Sequence, residues 1–228
     1  MKESFRMSRR EIITGSGFLA FQLILLPLVL DALCDAASLS VTAAQRNMIY
    51  FAVSFLAVAV IFHRYLWRSA ARALRQPGKV LCVSIVGLGL YWAANLGISL
   101  FLAALGLDTP NINDQSIAAM AADDFPLMFI GTVLLVPLAE ETLYRGLLFG
   151  VLYRKNRLLG YGISTLFFCA IHVVGYAGSY PADVLFACFL QYIPAGLCLG
   201  WAYAKTDSIF APILIHTMVN AMGILAVR

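Results

Sequence analysis

What most constrains this chain is a succession of seven apolar stretches, each long enough or nearly so to cross a hydrocarbon core that needs ~20 helical residues. They run from Ile12 to Leu33, Asn47 to Phe62, Val80 to Leu105, Phe125 to Leu152, Leu158 to Ala177, Val184 to Ala204 and Ile209 to Val227. Backbone polar groups in lipid must be satisfied within the chain, so stretches like these fold as helices. The chain is 61% hydrophobic and 12% charged, against ~25% charged in soluble domains. The predicted fold class is therefore all-α, a polytopic transmembrane bundle of about seven spanning helices. The net charge of +4 is spread over short loops, which argues against a nucleic-acid partner and leaves the lipid bilayer as the surrounding one. Four of the five cysteines, Cys82, Cys169, Cys188 and Cys198, lie in apolar stretches without metal-ligand spacing and read as packing thiols.

Basic residues predict the orientation. Lys2, Arg6, Arg9 and Arg10 precede the first stretch, which is nearer a spanning length than a signal core and reads as a retained signal anchor. Arg64, Arg68, Arg72, Arg75 and Lys79 follow the second; Arg68, Arg72 and Arg75 repeat at helical spacing beside Leu66, Trp67 and Leu74, which predicts an amphipathic helix on the membrane surface. Arg154, Lys155, Arg157 and Lys205 fall on the same side, whereas the connection Gly106 to Asp124 carries Asp108, Asp114, Asp123 and Asp124 and no base. This asymmetry predicts a multi-pass protein of the cell membrane with its N-terminus cytoplasmic and its C-terminus outside.

Residues 1–124 carry no chemical motif; residues 125–228 are the candidate catalytic core. Within the fourth stretch stands Leu138-Ala139-Glu140-Glu141-Thr142-Leu143-Tyr144-Arg145-Gly146. A charge at the centre of a membrane helix costs roughly 2.5–3.5 kcal/mol on insertion scales, so such groups face a bundle interior and mark a functional path. Glu141 and Arg145 share a helical face in the favourable order for an ion pair, while Glu140 turns about 100° away and is free for chemistry. Pro137 is expected to kink the helix beside Glu140. His172 lies in the fifth stretch one turn after Phe168, and His216 in the seventh one turn before Asn220. Polar groups buried on three helices satisfy one another best by converging. His63 sits at a membrane boundary and needs no functional account.

In this order on three spans, Glu140-Glu141 with Arg145, Phe168 to His172 and His216 to Asn220 resemble the E-E-x-x-x-R, F-x-x-x-H and H-x-x-x-N/D patterns of the CAAX-processing and bacteriocin-processing intramembrane proteases. The resemblance covers roughly Phe125 to Val227. It implies an endopeptidase that hydrolyses a peptide bond of a membrane-anchored protein or peptide substrate, within or at the edge of the membrane.

Amide hydrolysis needs an activated water, oxyanion stabilisation and protonation of the leaving amine. Glu140 is the candidate base, and His172 shares the water or supplies the proton. His216 and Asn220 offer donors to the oxyanion, Glu141 and Arg145 hold the helix, and Tyr144 and Phe168 shape the substrate pocket. No cofactor is favoured; zinc is the alternative, with Glu140, His172 and His216 as its ligands, although the His-Glu-x-x-His helix of common zinc proteases is absent. Two other classes compete: a proton- or ion-coupled transporter, which would be expected to have repeated halves, and a non-catalytic immunity or scaffold membrane protein. The site is expected to be reached through the bilayer or its cytoplasmic edge.

Overall fold

The computed structural model describes residues 7–38, 40–107 and 109–226; the expectations resting on Lys2, Arg6, Asp108 and Arg228 lie outside the described residues. Every element with regular backbone hydrogen bonding over more than a turn is helical, as the apolar runs require. Helices α3 (Ala43–Ile61), α5 (Pro77–Ala104) and α7 (Phe125–Lys155) are each long and apolar enough to cross a membrane. The same holds for Arg157–Tyr176, which is α8 (Arg157–Ile171) and a short turn after it, and for Ala182–Thr206, which is α9 (Ala182–Gln191) followed by α10 (Ile193–Thr206).

Two of the expected spans differ in form. The first is two helices, α1 (Arg9–Ile24) and α2 (Leu26–Ala36), bent by 54°. Pro27, in the first turn of α2, has no N–H to continue the ladder, so the chain breaks at Leu25. The last, α11 (Phe210–Ala226), has only 17 residues, about 26 Å at helical rise. The acidic connection also contains structure: α6 (Ile112–Asp123) is capped by Asn111, whose side chain accepts from the N–H groups of Asn113 and Asp114.

The amphipathic helix is α4 (His63–Arg75). Trp67 and Leu74 are exposed, as a surface helix requires, but its polar face is tied to protein. Glu11 completes a capping box with Ser8 at the start of α1, accepts the Tyr65 N–H at 3.0 Å and pairs with Arg68 at 3.3 Å. Ser69 and Ser208 exchange hydroxyl contacts at 3.1 Å, and Arg72 pairs with Asp207 at 3.2 Å. These bonds gather the start of α1, α4 and the α10–α11 return at one end of the bundle. Arg9, Arg10, Arg154, Lys155 and Lys205 lie there too. Asp31, Asp35, Asp114, Asp123, Asp124 and Asp183 lie towards the opposite end, where Arg46 is paired with Asp31.

One apolar core runs through both halves of the chain, joining Leu19, Val58, Phe62 and Tyr65 to Leu143, Tyr144, Phe149, Tyr203 and Ile215. Cys34, Cys169, Cys188 and Cys198 are buried, and all five thiols are free.

Candidate active site

Helix α7 is shaped by Pro137. It widens into π-helical turns over Ile130–Leu135 and again over Glu141–Phe149, a form that often marks functional sites. The Val136 N–H bonds back to Gly131 O, and Pro137 has no N–H, so the carbonyls of Thr132 and Val133 lose their helical donors. Helix α11 supplies replacements: Asn220 Nδ2 donates to Thr132 O at 2.8 Å and Thr217 Oγ1 to Val133 O at 3.2 Å. The proline therefore docks the helix that carries His216.

One turn further along α7, the fully buried Arg145 donates to Oε1 of the fully buried Glu141 at 3.1 Å, as the spacing predicted. The arginine also lies 4.1 Å above the Phe168 ring and reaches Ala195 O at 3.4 Å. His216 Nδ1 stands 2.8 Å from the same Glu141 oxygen. A carboxylate only accepts, so Nδ1 carries the proton and Nε2 is the working nitrogen. His172 is set the same way by its backbone: Nδ1 lies 2.8 Å from Phe168 O, which leaves Nε2 for chemistry.

Glu140 stands apart from this network. Its Oε2 is enclosed and has no hydrogen-bond partner among the described residues. The side chain lines a cavity of about 830 Å³ together with Tyr144, Phe168, His172, His216 and Asn220. All the candidate residues except the Glu141–Arg145 pair thus share one cavity, with that pair immediately behind it.

Sequence reasoning missed several groups here. Tyr192 stacks on His172 with ring centroids 4.2 Å apart and 27° between planes. Its signal was Pro194, which ends α9 and turns Tyr192 inward at the break. Thr217, the second partner of the proline-released carbonyls, was also missed, and so were Asn111, Asn113 and Gln191 along the wall. The N-terminal helices, which carry no motif, contribute Gln22, Asn47, Tyr50 and Tyr91 to the cavity.

The cavity is lined by Thr109–Asn111 and by the C-terminal ends of α1 and α11, all at the acidic end. Towards the basic end it is closed by the packed rings of Tyr144, Phe149, Tyr65 and Tyr203. Local spacing predicted depth within a helix but not which end the tilted helices leave open.

The alternative zinc set, Glu140, His172 and His216, lines one cavity. Among the described residues no three His, Cys, Asp or Glu side chains gather closely enough to hold a metal ion. His216 Nδ1 is taken by Glu141, which leaves Nε2 as its open nitrogen.

The fold and the site together define a multi-pass membrane protein that encloses a carboxylate and two imidazoles in a polar well. Residues 122–222 match the family described as Type II CAAX prenyl endopeptidase Rce1-like. Among curated proteins it is 28% identical over 184 residues to "Putative membrane peptidase YdiL" of Bacillus subtilis (strain 168), covering 76% of this chain and 69% of that one. It is 26% identical over 95 residues to the UPF0177 protein YxdF of Lactococcus lactis subsp. lactis (strain IL1403), covering 42% of this chain and 47% of that one. No solved structure matches the chain significantly.

Proposed function

We propose that the protein is a glutamate-dependent intramembrane endopeptidase that hydrolyses a peptide bond of a membrane-associated protein or peptide without a metal. The observation that carries this reading is Glu140 Oε2, a carboxylate oxygen enclosed without a partner among the described residues, on the cavity that His172, His216 and Asn220 also line.

A water held between Glu140 and Nε2 of His172 gives a proton to the carboxylate as its oxygen bonds to the scissile carbonyl carbon. The carbonyl electron pair moves to oxygen, and that oxyanion accepts from the second N–H of Asn220 and from Nε2–H of His216 in its protonated form. When the tetrahedral species collapses, the C–N bond breaks. The leaving nitrogen takes the proton from Glu140, directly or through His172, and the carboxylate is restored. Glu141 fixes the tautomer of His216, and Arg145 balances the charge of Glu141 in a dry setting. Tyr144 and Phe168 form the apolar wall beside the reacting bond.

The test is cleavage of quenched, membrane-anchored peptides by detergent-purified protein. Wild type is compared with Glu140→Gln and His216→Ala, each with and without a strong chelator. Cleavage lost in both variants and indifferent to the chelator is the expected result. Cleavage abolished by the chelator and restored by zinc overturns the metal-free mechanism. An active Glu140→Gln overturns the role of Glu140.

A further inference from the structure

We propose that the catalytic well opens away from the cytoplasm, and that its substrate is a protein or peptide segment emerging from the extracytoplasmic side of the membrane. This inference rests on the proteolytic reading above and adds the side from which the substrate comes.

Two independent observations meet here. The first is charge. Apart from Arg145 inside the bundle and Arg46 paired with Asp31, the basic residues among those described cluster at the end built by the N-terminus, α4, the end of α7 and the α10–α11 return. Basic ends are retained in the cytoplasm, so the acidic end lies outside. The second is the shape of the well. From Glu140 it runs to the acidic end, where Thr109, Pro110, Asn111 and Asp114 form the rim and Gln191 closes one side. Tyr192, bonded to Asn111 Oδ1 at 3.1 Å and stacked on His172, joins rim to catalytic group. Between Glu140 and the basic end, the fully buried Glu141–Arg145 pair and the aromatic core leave no passage.

The rim also describes what it receives. Among its described lining the well has carboxylates and amides but no lysine or arginine. Amide side chains offer the paired donors and acceptors that an extended peptide backbone needs. A further cavity of about 630 Å³ shares the wall of Asn47, Tyr50, Asn113 and Ile117 and leads out beside Asp31 and Arg46 between α2, α3 and α6. A segment anchored in the bilayer reaches the rim along that groove at the same end. The class of substrate is thus a neutral or basic juxtamembrane stretch on the outer side.

The experiment has two arms. In intact cells a membrane-impermeant maleimide is applied to Thr109→Cys and to Lys155→Cys, with the unmodified protein as background. Labelling of Thr109→Cys at least about tenfold above Lys155→Cys, equalised by permeabilisation, is expected; labelling confined to Lys155→Cys overturns the inference. In the second arm, two single-span reporters carry the same cleavable segment on the outer or the inner side, with Glu140→Gln as control. Cleavage of the outer reporter alone supports the inference, and cleavage of the inner reporter alone overturns it. If neither is cut while Thr109→Cys still labels from outside, the proteolytic reading fails and the outward mouth stands.

Discussion

His216 Nδ1 lies 2.8 Å from Oε1 of Glu141, the oxygen that Arg145 also reaches at 3.1 Å, and not on Glu140, the neighbouring carboxylate. Adjacent residues on one helix have thereby been separated into two tasks. Oε1 of Glu141 is shared by an arginine one turn further along the same helix and an imidazole from α11, and its Oε2 has no partner among the described residues. Glu140 keeps an enclosed oxygen without a partner among the described residues. One buried acid ties α7 to α11, and the other lines the cavity.

This division sets contrasting outcomes for two amides. Glu140→Gln removes no protein hydrogen bond from Oε2, so expression, membrane insertion and thermal stability in detergent should stay near wild type. Peptide cleavage should fall by about 10²–10⁴-fold, the usual contribution of a general base.

Glu141→Gln should act chiefly on folding. It leaves the fully buried Arg145 without its counter-charge and His216 without its carboxylate. Breaking a buried pair from one side costs about 3–5 kcal/mol. Loss of folded protein, read by thermal unfolding in detergent, is the expected outcome; a stable and active Glu141→Gln would refute the assigned division.

The link between Pro137 and α11 is open to a double-mutant cycle. Thr217→Val strands Val133 O and should cost about 1 kcal/mol. In a Pro137→Ala background the helix regains a donor for that carbonyl, so the same substitution should cost much less there. Additive costs would mean that Thr217 contributes by packing alone.

Gly160 faces the backbone of Tyr153, and a Cβ there would sit 2.7 Å from Tyr153 Cα. Main-chain atoms cannot swing aside, so Gly160→Ala should force α8 away from α7 and destabilise by about 1–3 kcal/mol. Gly162, with nothing within 4 Å, is the control: Gly162→Ala should be neutral or stabilising.

Asp207, in the α10–α11 return, has its carboxyl raised above the ordinary aspartate value by burial, with Arg72 opposing the shift. A carboxyl raised on folding favours the protonated form in the native state. Its contribution is therefore present at acid pH and is lost as pH rises through the raised value. Arg72→Met should steepen the fall in unfolding temperature from mildly acidic to neutral pH, and Asp207→Asn should flatten it.

The sequence by itself determined the elements whose cause is local. Apolar run length set where α3, α5 and α7 to α10 cross, and helical spacing of Arg68, Arg72 and Arg75 with Leu66 and Leu74 located α4. The i to i+4 order of Glu141 and Arg145 was enough to predict their pair. It also named the three spans that bring Glu140, His172, His216 and Asn220 to one cavity. Only the tertiary structure decided what depends on how helices rotate and tilt against one another. That includes which carboxylate receives His216, which carbonyls α11 takes from the Pro137 break, how Tyr192 comes to lie on His172, and which end of the bundle stays open. Those relations join residues roughly 20 to 90 positions apart, and each is settled by packing between whole helices, which a period of 3.6 residues cannot encode.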